Sequence, residues 1–292
     1  MRKSFKVAEQ VFRFDIPDGH PLLNSLDRYA PFEVSADGEP PVFEVEICAG
    51  LPALPSAKIY GGNEEPGEPA VSIFREGSLW GFEMAVCKGR PVCGKMLADS
   101  SFSKGRLLIT EPREALFALN NAAMLLYAFR TAPLGNLELH ASVIVNSGKA
   151  FLWMAKSGTG KSTHSRLWLK NIPGSSLLND DNPVLRIAPD GSVQVYGTPW
   201  SGKTPCYKNE HYPAGAFVEI KRSLQNRITR KSLFEAYALL YSSSSGFKND
   251  SSMAEILHRN FEAAVTKVPS YTLECRPDAQ AAEVSSKELL AL

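Results

Sequence analysis

At 292 residues and 44% hydrophobic, the chain can bury one large core or two smaller ones, since domains commonly run to ~100–200 residues. Its 32 Lys and Arg nearly cancel 31 Asp and Glu. That balance excludes a global field that would hold the protein on nucleic acid or an anionic membrane, and it leaves any anionic ligand to be bound locally. Five scattered cysteines (Cys48, Cys87, Cys93, Cys206 and Cys275) lack zinc-knuckle spacing, so reduced thiols are expected. Charged Lys6, Glu9, Arg13 and Asp15 interrupt the basic start, and no run reaches the ~18 apolar residues of a membrane span. The expectation is a soluble, cytoplasmic protein with no nucleic-acid or membrane partner.

Residues 1–110 read as an antiparallel, β-rich N-terminal domain. Phe12, Phe14 and Ile16 alternate with Arg13 and Asp15; Phe43, Val45 and Ile47 with Glu44 and Glu46; Trp80, Phe82 and Met84 with Gly81 and Glu83. This is the period of half-buried strands. Prolines at 17, 21, 31, 40, 41, 52, 55, 66 and 69 exclude long helices between them. No titratable cluster with ligand spacing occurs here, which points to a scaffold or partner-binding module.

A second domain over 111–292 opens with a helix. Thr110 is its expected cap, Glu111 and Glu114 sit near the positive end of its dipole, Pro112 falls in the first turn, and Pro133 ends it. From Leu137 the pattern predicts paired strands around Asn146-Ser147-Gly148, a glycine-rich turn, a short helix near Ser162–Lys170, and a strand through Leu177-Leu178 that ends at two aspartates. Val184–Ile187 and Val193–Tyr196 flank Pro189-Asp190-Gly191 as a hairpin. Helices over Ser232–Tyr241 and Met253–Val265 and a last strand from Val268 complete an α/β nucleotide-binding core.

Residues 155–163 read Ala-Lys-Ser-Gly-Thr-Gly-Lys-Ser-Thr after the apolar strand 150–154. The phosphate-loop pattern G-x-x-x-x-G-K-[ST] is met at Gly160, Lys161 and Ser162, with Ala155 in place of its first glycine. Ser157, Gly158, Thr159, Gly160, Lys161, Ser162 and Thr163 are the candidate nucleotide-binding residues. Glycines at 158 and 160 let backbone N–H groups converge on phosphate oxygens, Lys161 supplies a charge for the outer phosphates, and Ser162 a hydroxyl for the metal. His164, in the first helical turn, is expected to be exposed. Asn179-Asp180-Asp181 supplies the carboxylates such a loop needs. Consecutive residues on a strand tip face opposite ways, so one can face the metal and the other can serve as general base.

The stretch LELHASVIVNSGKAFLWMAKSGTGKSTHSRLWL followed by SLLNDDNPVLR resembles the catalytic core of HPr kinase/phosphorylase and phosphoenolpyruvate carboxykinase. In both families a histidine opens a hairpin, an S-G-x-G-K-[ST] loop follows, and a DD pair ends the next strand. The resemblance covers residues 137–203. It implies a P-loop fold of that type behind a β-rich domain, with ATP and Mg2+ (Mn2+ as the alternative) as nucleotide and metal. Ser162 and Asp181 are then the metal ligands, Asp180 the base, and His140 a catalytic residue at the transferred phosphoryl group or a second metal. The arginine-glycine segment that HPr kinases carry beyond the DD strand is replaced by Tyr196-Gly197-Thr198-Pro199-Trp200-Ser201-Gly202-Lys203. GTPWSGK resembles HPr-kinase-related proteins of uncertain substrate, and in it Lys203 is a candidate to neutralise the transferring phosphoryl group, with Trp200 either walling the acceptor site or anchoring the core.

The expected activity is therefore transfer of the γ-phosphoryl group of ATP to a hydroxyl of a protein, peptide or small-molecule acceptor, and self-association is compatible with it. The alternatives are a non-catalytic, nucleotide-gated binding or maturation factor and a carboxykinase-like lyase. The dicarboxylate-binding set of the lyases has no recognisable counterpart.

Overall fold

The computed structural model describes every residue except 36–37, 62–68 and 203. It is a mixed α/β protein with two large sheets, divided into compact units Met1–Thr131 and Ala132–Leu292. The division falls after Thr131 and not at 110, because the helix that follows the strands packs on the first sheet. Among the described residues no helix is long and apolar enough to cross a membrane. The five cysteines are unpaired.

In unit 1 the strands are β1 (Arg2–Val7), β2 (Gln10–Asp15), β3 (Glu33–Val34), β4 (Phe43–Ile47), β5 (Lys58–Gly61), β6 (Ala70–Glu76), β7 (Leu79–Ala85), β8 (Val92–Ala98) and β9 (Lys104–Ile109). They form one sheet in the order β3-β1-β2-β4-β9-β8-β7-β6-β5. The antiparallel expectation holds for the hairpins but not for β4, which runs parallel to both β2 and β9. Long connections separate β4 from each of them in sequence, which is what parallel pairing requires. Helix α1 (Ala115–Thr131) buries Ala118, Leu119, Ala122, Leu126 and Tyr127, and the Tyr127 hydroxyl donates to Val7 O at 3.0 Å. Phe12 stacks on Phe43 at 5.2 Å, within a cluster of Phe5, Phe14 and Tyr29. Thr110 does not cap the helix; its hydroxyl donates to Val92 O, and a 3-10 turn over Pro112–Glu114 leads into α1.

Unit 2 contains β10 (Asn136–Glu138), β11 (Ala141–Asn146), β12 (Lys149–Met154), β13 (Ser176–Asp181), β14 (Val184–Ile187), β15 (Val193–Tyr196), β16 (His211–Arg222), β17 (Arg227–Arg230) and β18 (Ser270–Cys275). Its helices are α2 (Lys161–Asn171), α3 (Leu233–Ser243), α4 (Ser251–Lys267) and α5 (Ala279–Leu289). The sheet order is β10-β14-β15-β16-β12-β11-β13, with β18 also on β16 and β17 on β18. The β11–β12 hairpin turns on Ser147 (φ 50°) and Gly148 (φ 74°), both left-handed as a two-residue turn between twisted strands requires. Ser232 and Glu235 form a reciprocal cap on α3.

His164 is not exposed. It lies in the core at 2% accessibility, edge-on to Trp153 at 4.4 Å, with Nε2 3.1 Å from the Ser285 hydroxyl, which also accepts from Trp168 Nε1. Burial pushes its imidazole down to about 3. The ring is thus neutral in the fold yet takes a proton near pH ~6.5 when unfolded, so stability is withdrawn as the pH falls below ~6.5 and the loss continues toward the folded value. His164→Leu should narrow the drop in melting temperature between pH ~7.5 and pH ~5 relative to wild type. An unchanged drop would show that His164 does not stay neutral in the folded protein.

Candidate functional site

Strand β11 is antiparallel to both β12 and β13, and β16 is parallel to β12. The carboxyl ends of β12, β13 and β16 therefore lie along one edge of the sheet, where open α/β sheets place their ligands. The loop 155–160 leaves the end of β12, and α2 begins at Lys161 with Gly160 before it. Ser157 and Gly158 are exposed, Thr159 and Gly160 half-buried, and Ser162 and Thr163 half-buried in the first helical turn.

Residues from three separate motifs meet here. Lys161 Nζ lies 3.0 Å from Ala155 O and 2.7 Å from His140 Nε2, while His140 Nδ1 lies 3.1 Å from Asp181 Oδ1. An ammonium group has only hydrogens to offer, so Nε2 must accept. Nδ1 then carries the imidazole proton and donates to Asp181, which fixes both the tautomer and the ring's orientation.

The two aspartates diverge as adjacent strand residues must. Asp180 pairs in register with Ser142, and Ser142 in turn with Trp153; directly opposed residues share a face. This is the face on which Trp153 meets His164 of α2 and the Ser142 and Ser165 hydroxyls lie 2.6 Å apart. Asp180 is buried there, and among the described residues its Oδ1 has no hydrogen-bond partner. Asp181 points the other way, and its side chain keeps 34% of its exposure.

The segment after β15 closes over the tip of β13. The Thr198 hydroxyl donates to Asn182 O at 2.7 Å and accepts from Asn179 Nδ2 at 3.0 Å and from Trp200 N at 3.2 Å. Ser201 bridges to Asp181, and Gly202 N donates to Asp180 O at 3.0 Å. Trp200, at 2% accessibility, is a core anchor and not an exposed wall. Lys203 lies outside the described residues.

Glu138 and Arg222 also border the site and carry no local motif. Glu138 is buried and accepts from the Ser245 hydroxyl at 3.4 Å, and among the described residues its Oε2 has no hydrogen-bond partner. Burial, with the nearby Asp181 charge adding to it, pushes its carboxyl up to about 8 against the opposing Ser245 bond. In the sequence it reads as the polar residue between Leu137 and Leu139, and only burial on both faces of β10 reveals it. The serine run lies alongside: His140 N donates to Ser243 O at 2.7 Å and Ser245 N to Glu138 O at 2.9 Å. Arg222, at the end of β16, donates through Nε to Thr159 O at 3.1 Å and through Nη2 to Gly158 O.

The Ser142–Ser165 contact ties α2 to β11 behind the loop. Ser142→Ala leaves the Ser165 hydroxyl buried without its partner, a cost of ~1–3 kcal/mol, whereas removing both hydroxyls is less costly than the sum. Denaturant unfolding of Ser142→Ala, Ser165→Ala and the double variant checks this, and strictly additive losses would mean that the pair is not coupled.

No protein-family model matches the sequence, and no curated protein does. Among solved structures, the chain is similar to the Hpr(Ser) kinase/phosphatase from Coxiella burnetii, at 10% identity and a TM-score of 0.33 over 53% of this chain and 97% of that one.

Proposed function

We propose that unit 2 is an ATP- and Mg2+-dependent phosphotransferase of the HPr-kinase-like type, passing the γ-phosphoryl group to a hydroxyl of a protein, peptide or small-molecule acceptor. The observation that carries this reading is the contact chain Lys161–His140–Asp181 beside a glycine-rich loop at the carboxyl edge of the sheet. A structural turn with an incidental lysine has no need of a histidine from the approach to β11 and a carboxylate from the tip of β13.

In this reading the amides of Ser157–Gly160 and the start of α2 receive the phosphates. Lys161, now held by His140 and Ala155, turns to the outer phosphates and releases the Nε2 lone pair. The Ser162 hydroxyl and the Asp181 carboxylate are hard oxygen donors that suit Mg2+ or Mn2+, and Asp180 Oδ1 on the same strand tip is buried with no hydrogen-bond partner among the described residues. Among the described residues no three His, Cys, Asp or Glu side chains are grouped to hold a metal alone; in this reading phosphate oxygens of the nucleotide would complete the coordination. When bound, the metal neutralises charge on the β- and γ-phosphates. Asp180 takes the acceptor's hydroxyl proton as the new P–O bond forms and ADP leaves with the old one. His140 stays oriented by Asp181 throughout.

Lys161→Ala should stay folded and lose most of its affinity for ATP, because a charge-assisted contact to phosphate contributes ~1.5–3 kcal/mol. Calorimetry showing unchanged ATP affinity in a folded variant would remove the phosphate-loop reading. Asp180→Asn should keep Mg-ATP binding and lose transfer by ~10²–10⁴-fold, while Asp181→Asn should need far more metal. Wild-type protein that binds Mg-ATP tightly but transfers to no acceptor in a broad screen would favour the nucleotide-gated factor instead.

A further inference from the structure

We infer that Arg222 is a positioning residue of the nucleotide site, holding the glycine loop in the form that presents N–H groups and not carbonyl oxygens to the phosphates. The inference rests on the reading of the 155–162 segment as a phosphate site. Strand β16 outruns its parallel neighbour β12: the last paired residues are Met154 and Glu219, and the chain continues to Arg222 alongside the loop. From there the guanidinium reaches back across 63 and 64 residues of sequence to the carbonyls of Thr159 and Gly158.

Those carbonyls belong to the Gly158–Thr159 and Thr159–Gly160 peptide units. A trans peptide points its C=O and N–H in opposite directions. Two carbonyls drawn to Arg222 therefore turn the amides of Thr159 and Gly160 to the opposite side of the loop; Thr159 N closes the turn on Lys156 O at 3.2 Å, and the Gly160 N–H is the one aimed toward the phosphate side. The control is needed because both units are bounded by glycine, Gly158 at φ 71° and Gly160 at φ 134°. Glycine makes a flip of either unit sterically cheap, and a flipped unit would aim a carbonyl dipole at an anion. A lysine at 222 would supply the charge but not the planar fork that grips two carbonyls at once.

The test is calorimetric titration of the full chain with Mg-ADP and with adenosine, comparing wild type, Arg222→Ala and Arg222→Lys, with melting temperatures measured without ligand. Arg222→Ala should weaken Mg-ADP by about tenfold and leave adenosine within about twofold, at an unchanged melting temperature; Arg222→Lys should recover only part of the loss. A defect confined to the phosphorylated ligand is something general loosening of the fold would not produce. Equal losses for ADP and adenosine, or an ADP affinity in either variant equal to wild type, would overturn the role of Arg222 alone. Wild-type protein that binds no Mg-ADP would remove the underlying phosphate-site reading and this inference with it. Should Arg222→Ala fail to fold, the lysine variant decides.

Discussion

Strand β11 is hydrogen-bonded on both sides to strands that run against it, and the geometry of unit 2 hangs on that constraint. Because β12 and β13 each oppose β11, they must be parallel to each other and must end at the same edge. The glycine loop leaves one of these ends and the aspartates crown the other, so residues separated by the whole of α2 come within reach of His140, one residue before β11 begins. If β11 were lost, the histidine, the lysine and the carboxylate would have no common frame. The burial of all six residues of β11 is the energetic counterpart of that role.

A second layer of control comes from polar groups that would be costly to bury alone. One hydroxyl, on Thr198, satisfies Asn179, Asn182 and the backbone of Trp200, and so locks the segment after β15 onto the tip of β13. Behind the loop, Ser142 and Ser165 satisfy each other. Lys161 is buried to 9% accessibility and engages His140 and a carbonyl. Buried polar groups of this kind rigidify a structure only when their partners are in place.

Much of unit 2 was legible in the sequence because its signals are local. Asn146-Ser147-Gly148 marks its own turn, Val184–Ile187 and Val193–Tyr196 alternate around Pro189-Asp190-Gly191, and Ser232 announces α3. What escaped notice lacks such signals. Pro213 and Gly215 break the pattern of β16, although at twelve residues it is the longest strand among the described residues. Helix α5 buries Ala281, Ala282, Ser285 and Ser286, so its inner face is built from small residues that look like a polar tail. The parallel partners of β4, and the reach of Arg222 to the loop, are non-local facts that no periodicity encodes. His164 misled for a related reason: its position in the first turn suggests solvent, whereas α5 packs on α2 and supplies Ser285.

The indoles of Trp153 and Trp168, 5.3 Å apart and both fully buried, sit behind the glycine loop with His164 between the first of them and Ser285. Trp153 lies one residue before the end of the strand that feeds the loop, and Trp168 rides on the helix that leaves it. The protein therefore carries its own optical reporter. Any rearrangement that shifts α2 against β12 must change the packing of these two chromophores, and their emission would register it without an added label.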